Sequence, residues 1–201
     1  MSKPKVKTIP DFSETSEAHI EAKKLGTDHF SLWQRNVADK YKDMPTEDIK
    51  LDLQRTAFPF AVCVENLIGD FNMGTVIRNA NGFNAKEVYY LGNKKFDRRS
   101  MVGVQNYTDI KFLSTIDDLI KLHEQYVFVG VDNVPGSVSV LDYKFKPNTL
   151  FIFGEEGVGL SKPMQLLCDD IVSIPMFGSV RSFNCGVASG IIMYDYIRKF
   201  I

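Results

Sequence analysis

The stretch Ile174–Tyr196, IPMFGSVRSFNCGVASGIIMYDY, decides how the rest of the chain is read. It begins at the end of an apolar run, DIVSIP, and breaks at Pro175. It then crosses a loop of small and polar residues, GSVRSFNCG, and continues as an apolar helix, VASGIIMYDYI. A strand end, a Gly/Ser/Asn-rich loop and a helix start present backbone N–H and C=O groups to a ligand. The same order also serves as an ordinary strand–loop–helix joint, so the neighbouring segments have to choose between the two.

Those segments alternate. FPFAVCVEN, from Phe58, is a continuous apolar, β-branched and aromatic run, as expected of a strand buried on both faces. GDFNMGTVIRNANGFNA reads as turn and helix, EVYYLG as strand, STIDDLIKLHEQY as helix and YVFVGVDN as strand. TLFIF then leads into the glycine loop GEEGVGLS, followed by a short helix at KPMQLLC, the strand DIVSIP and the final helix; DIKFL adds a short strand. This alternation predicts an α/β fold, a largely parallel sheet flanked by helices. Such sheets bind ligands beyond the carboxyl ends of their strands. The loops ENLIGDFNMG, GVDN, GEEGVG and PMFGSVRSFNCG all fall there, which predicts one composite site.

The 201 residues, 44% hydrophobic, suffice for one core with an appendage. Residues 1–57 read as a polar tail and a helical extension, with EAHIEAKKLG, DHFSLWQRNVADKYK and a helix opening at Thr46–Glu47–Asp48. Residues 58–201 read as the α/β domain. A formal charge of −1 gives no global attraction to nucleic acid, so any basic surface has to be local. The three cysteines, Cys63, Cys168 and Cys185, are widely spaced, which argues against a disulfide framework or structural zinc. No apolar run of membrane-spanning or signal-peptide length is present, and a cytoplasmic protein is expected, with no membrane and no metal.

GEEGVGLSK, residues 154–162, fails as a nucleotide loop. Leu160, not Lys, follows Gly159, and Lys162 stands where a dinucleotide fingerprint needs glycine. Glu155 and Glu156 place two carboxylates where a phosphate should lie. The pair suits a sulfonium, a ribose or a guanidinium better.

In order and spacing, FNMGTVIRNANGF, FIFGEEGVGLS and IPMFGSVRSFNCGVASGIIMYDY resemble the three motifs of SpoU-type (TrmH-like) RNA ribose 2′-O-methyltransferases of the SPOUT superfamily. The resemblance covers roughly residues 60–200. It implies a SPOUT fold with a C-terminal trefoil knot, S-adenosylmethionine as cofactor, RNA as partner and a homodimer that packs near the cofactor site. It assigns the cofactor to Val131, Asp132, Phe153, Gly154, Glu155, Gly159, Ile174, Met176, Phe183 and Asn184. It assigns catalysis to Asn72, Arg78, Glu156, Ser182 and Asn184.

Each residue also has a plainer reading. Arg78 fits a surface arginine on an amphipathic helix; as a literal base it is unattractive, because guanidinium stays protonated. A clamp on phosphate and hydroxyl suits it better. Asn72, Ser182 and Asn184 equally suit helix capping, and Glu156 a solvated loop carboxylate. For RNA, GNKKFDRRS gathers Lys94, Lys95, Arg98 and Arg99 around Phe96, and Arg181 should lie at the mouth of the site. Two departures from the family pattern stand out: Asn84 where Gly is frequent, and Gly186 where Ser is frequent. The helical extension is closer in size to that of the family's tRNA-modifying members, so the resemblance implies tRNA rather than rRNA. The alternatives are a catalytically inactive SPOUT-fold RNA-binding protein and a base-directed RNA methyltransferase.

Overall fold

The computed structural model describes residues 37–66 and 72–201. The helix expected at EAHIEAKKLG and most of the one at DHFSLWQRNVADKYK lie outside these residues. The chain divides into two compact units, Met1–Asp43 and Met44–Ile201. In the first, one 3-10 turn, Asp39–Tyr41, is described. The second opens with helix α1, Thr46–Arg55, whose first turn carries Glu47 and Asp48, favourable at the positive end of a helix dipole.

Seven strands follow: β1 (Phe58–Asn66), β2 (Ala85–Gly92), β3 (Ile110–Leu113), β4 (Val127–Val131), β5 (Val138–Ser139), β6 (Thr149–Phe153) and β7 (Asp170–Ser173). They form one sheet in the order β3-β2-β1-β6-β4-β7-β5, and every pairing is parallel. The connecting helices are α2 (Asn72–Gly82), α3 (Ile116–Ile120), α4 (Lys162–Leu167) and α5 (Cys185–Phe200).

Alternation along β1 explains why its sequence is apolar throughout. Phe60, Val62 and Val64 enter one core with Val76 and Ile77 of α2 and Ile192, Met193 and Tyr196 of α5. Ala61 and Cys63 point to the opposite core, with Leu119 of α3 and Met164 of α4. Successive strand residues face opposite sides, so a central strand covered on both faces has no place for an unpaired polar side chain. Tyr196 is fully buried among Phe60, Phe145 and Phe151, and its hydroxyl donates to the Pro59 carbonyl at 2.8 Å. Burial of a ring of this size stabilises by roughly 1.5–3 kcal/mol, and the hydrogen bond removes the cost of hiding the hydroxyl.

Two details differ from the sequence reading. STIDDLIKLHEQY is not one helix: Thr115 caps α3 in a reciprocal box with Asp118, and the chain tightens into a 3-10 turn at Lys121–Glu124. That turn lets buried Tyr126 lead directly into β4. The two-residue strand β5 lies at the sheet edge, too short for its Val-Ser alternation to register as a pattern. Asn84 adopts the left-handed conformation, φ 51°, and its amide donates to Thr56 Oγ1 at 3.0 Å. Asparagine therefore replaces glycine at that turn without loss of geometry.

Candidate functional site

The carboxyl ends of β4, β6 and β7 open onto a cleft of ≈ 480 Å³. All ten residues that the motif resemblance assigns to a cofactor line it: Val131, Asp132, Phe153, Gly154, Glu155, Gly159, Ile174, Met176, Phe183 and Asn184. Glu156, Arg181 and Ser182 line it as well. The glycine loop after β6 is pinched by paired hydrogen bonds between Glu155 and Gly159, 2.9 and 3.2 Å. Gly159 has φ +72°, and a Cβ there would overlap the Asp132 carboxylate. A side chain at Gly154 would likewise overlap the Gly159 backbone. These positions bring main chain, rather than side chains, to the cleft wall.

Asp132 holds that wall. Its Oδ2 accepts from the Leu160 N–H at 2.8 Å and its Oδ1 from the Asn133 N–H at 2.7 Å. Asn133, which the sequence reading passed over although it ends the GVDN run, donates from Nδ2 to the Arg181 carbonyl at 2.6 Å. It thereby ties the loop after β4 to the loop that precedes α5.

Three residues from three separate motifs meet beside the cleft. Asn184 Nδ2 donates to Asn72 Oδ1 at 2.9 Å and to both Glu156 carboxylate oxygens at 3.0 Å, and Asn72 Nδ2 also donates to Glu156. Asn184 Oδ1 meanwhile accepts from the Val187 N–H at 3.3 Å and caps α5. Capping and site-building thus use opposite ends of one amide. Ser182 lines the cleft and makes no hydrogen bond among the described residues.

Arg78 is not in this cluster. It lies six residues beyond Asn72 on α2, about 9 Å along the axis at 1.5 Å per residue, and its side chain is exposed. The basic loop also differs from a simple cationic turn. Phe96 packs inward on Tyr90, with ring centroids 5.5 Å apart, instead of standing free for stacking. Arg98 lies over the Phe96 ring at 5.7 Å and Lys94 over Phe112 at 5.3 Å, while Arg99 is bound by Asp97. Lys94, Lys95 and Arg98 remain exposed.

Gly186 has a steric reason. A Cβ there would lie 2.7 Å from Thr75 Cγ2 and 3.1 Å from Asn184 Oδ1. Its carbonyl accepts from Asn79 Nδ2 at 2.8 Å and Ser189 Oγ at 2.7 Å, stitching α5 to α2. Thiol chemistry at Cys63 and Cys168 has no support: burial pushes the Cys63 thiol far up and the Cys168 thiol to about 12. Among the described residues no group of three or more His, Cys, Asp or Glu side chains is placed to hold a metal ion, and no helix is long and apolar enough to cross a membrane.

A fully parallel sheet with a carboxylate-bearing, main-chain-lined cleft at its strand ends defines an α/β protein built to hold a polar, cationic ligand there. Residues 59–194 match the SpoU rRNA Methylase family, and the chain belongs to that family of methyltransferases. A 23S rRNA (uridine(2479)-2′-O)-methyltransferase from Streptomyces viridochromogenes is 28% identical over 171 residues, 79% of this chain and 59% of the relative. The 23S rRNA (guanosine-2′-O-)-methyltransferase RlmB of Shewanella oneidensis is 24% identical, covering 92% of this chain and 77% of its own. The fold is shared with the A. aeolicus TrmH/SpoU tRNA modifying enzyme: TM-score 0.67, 21% identity, 77% of this chain and 81% of that one. It is shared too with the SpoU methyltransferase AviRb from Streptomyces viridochromogenes in complex with AdoMet: TM-score 0.63, 29% identity, 75% and 61%.

The residues present fit S-adenosylmethionine. The cleft falls within the roughly 300–1,000 Å³ that holds a ligand of this size. Glycine backbone at 154 and 159 admits close approach, and the Glu155–Glu156 pair complements a sulfonium.

Proposed function

We propose that this protein transfers a methyl group from S-adenosylmethionine to a ribose 2′-OH of RNA. The observation that carries the proposal is the Asn72–Glu156–Asn184 cluster: three motifs separated by up to 112 positions converge on one hydrogen-bonded group at the cleft. When bound, S-adenosylmethionine supplies an electrophilic methyl on a positively charged sulfur. The protein's share is alignment of an oxygen with that methyl, and help with the hydroxyl proton. Asn184 fixes the Glu156 carboxylate, which is an acceptor aimed at the site. Asn72, clamped between the two, brings the start of α2 to the cleft edge. Arg78, always cationic, binds phosphate and the developing alkoxide rather than removing a proton.

Arg78 reaches a site through pairing of two copies. We read the protein as a homodimer packed near the cleft, with α2 close to the interface. Val187 and Tyr194, 51% and 60% exposed on α5, support an apolar face that a second copy covers. The C-terminal helix is read as the threaded end of a trefoil knot. In support, Lys199 Nζ donates to the carbonyls of Val140 and Tyr143 at 2.7 and 3.0 Å, so the 140–143 segment lies against the end of α5. The extension over residues 1–57 and the α/β domain over 58–201 remain our division of the chain, in a cytoplasmic setting. The extension's size is the support for tRNA as substrate, while the curated relatives above are named for 23S rRNA. Incubation with methyl-labelled S-adenosylmethionine and either total tRNA or rRNA decides between them. Label on tRNA riboses is expected; label on rRNA alone removes the tRNA assignment, and label on bases removes the ribose one.

A further inference from the structure

The last two residues of β1 point to opposite faces of the sheet and grip two different loops. Glu65, 6% exposed, accepts from the Ser161 N–H at 2.9 Å. Ser161 ends the glycine loop and caps α4 through its own hydroxyl. The preceding N–H, that of Leu160, is held by Asp132 from β4's end. The root of the loop that carries Glu156 is therefore fixed by two carboxylates from two strands on consecutive backbone donors. On the other face Asn66, 3% exposed, donates from Nδ2 to the carbonyl of Asn93 and, more weakly, to that of Lys95 at 3.4 Å. Its own carbonyl accepts from the Asn93 N–H at 2.6 Å. Asn93 Oδ1 in turn accepts from the Lys95 N–H at 3.0 Å, closing the base of the basic loop.

We propose that Glu65 and Asn66 are positioning residues, Glu65 for the cofactor-side loop and Asn66 for the basic loop, and that β1 sets the spacing between the two. The inference rests on the methyltransferase reading for the names of the ligands, and on geometry alone for the anchors. β1 is the right element for this task because it is paired on both sides and buried on both faces, so its end has little freedom. Adjacent strand residues diverge by necessity. One can therefore be changed without touching the loop held by the other. A buried carboxylate on a backbone N–H is a strong contact, and its removal leaves the donor unsatisfied.

The test uses the full chain and four variants: Glu65→Gln, which keeps an acceptor oxygen, Glu65→Leu, Asn66→Asp, which keeps the shape and loses the donor, and Asn66→Leu. Hydrogen exchange without ligand reads the anchors directly. Glu65→Leu should accelerate exchange over residues 155–161 and leave 92–96 unchanged; Asn66→Asp should do the reverse. S-adenosylmethionine affinity by calorimetry should fall about tenfold in Glu65→Leu and recover most of that in Glu65→Gln, with binding to labelled poly(U) unaltered. The Asn66 variants should lose about as much poly(U) affinity at unchanged cofactor affinity. Equal loosening of both loops, no loosening in either, or a Glu65→Gln variant as impaired as Glu65→Leu overturns the proposal. If the wild type binds no S-adenosylmethionine, the functional reading fails, while the exchange pattern still decides the anchors.

Discussion

A single methyl group added at Gly186 should test how the third motif is seated on the first. A Cβ built there approaches Thr75 Cγ2 to 2.7 Å, Thr75 Cβ to 3.0 Å and Asn184 Oδ1 to 3.1 Å. Thr75 is β-branched on a helix, and turning its side chain moves the methyl but leaves its Cβ in place. α5 then has to shift against α2, and overpacking of this kind costs about 1–3 kcal/mol. At ~2 kcal/mol, the Met44–Ile201 unit should lose about 4–8 °C in Tm. Because Asn184 is crowded at the same time, methyl transfer should fall more than stability does. In a Thr75→Ala background the 2.7 Å contact with Cγ2 is gone while the Cβ contact at 3.0 Å and that with Asn184 stay, so Gly186→Ala should cost about 1 kcal/mol or less. The cost therefore shrinks between backgrounds, with a coupling of ~1–2 kcal/mol, above the ~0.5 kcal/mol by which independent sites fail to add. Thermal melts of the four proteins, read with labelled-methyl assays, measure the cycle. Equal effects of Gly186→Ala in both backgrounds would refute the packing argument.

The remaining expectations concern the cluster, the basic loop and the sheet edge. Asn184→Asp retains the cap on α5 but sets a second carboxylate against Glu156, so Tm should hold while transfer is lost; Asn184→Ala should lose transfer and about 1 kcal/mol of stability as well. Arg78→Ala should abolish transfer with cofactor affinity unchanged, measured by calorimetry, since Arg78 stands outside the cleft. Lys94→Ala with Lys95→Ala should weaken RNA binding and flatten its salt dependence by about 1–2 in slope; a constant slope would leave these lysines without a phosphate contact. Burial works to raise the Glu87 pKa, but hydrogen bonds from Lys111, Tyr89 and Tyr126 outweigh it and hold the carboxyl below its ordinary range. Stability from this group is present above the unfolded-state carboxylate pKa and is lost as pH falls through the depressed folded one. Tyr126→Phe should therefore be less stable than the wild type near neutrality, with the gap narrowing in acid; a gap independent of pH would contradict it.

Much of this architecture is legible in the chain because parallel strands buried on both faces leave continuous apolar runs. FPFAVCVEN and TLFIF could hardly be anything else, and their order with the helices forces the loops to one end of the sheet. The second and third motifs and the GVDN strand end supply the cleft lining, and the family resemblance named most of those residues. Contacts set by tertiary spacing were not legible. Phe96 looks like a free stacking ring in GNKKFDRRS, yet Tyr90 two strand positions before the loop draws it inward. Gly186 looks like a missing serine until Thr75, 111 positions upstream, is found in the space. Arg78 and Asn72 share a motif, but helical rise separates them by about 9 Å, a distance that motif spacing conceals. Glu65 and Asn66 open ENLIGDFNMG but lie outside the three motifs; their hydrogen bonds to Ser161 and Asn93 emerge only once the ends of β2 and β6 are seen beside them.

The central claim is that the Asn72–Glu156–Asn184 cluster serves methyl transfer to a ribose oxygen. The most direct measurement is alkaline hydrolysis of RNA incubated with the protein and methyl-labelled S-adenosylmethionine. A 2′-O-methyl group blocks attack on the adjacent phosphodiester, so label should appear in alkali-resistant dinucleotides, and disappear with Asn184→Asp. Label recovered in mononucleotides carrying a methylated base, or unchanged transfer by Asn184→Asp, would contradict the account.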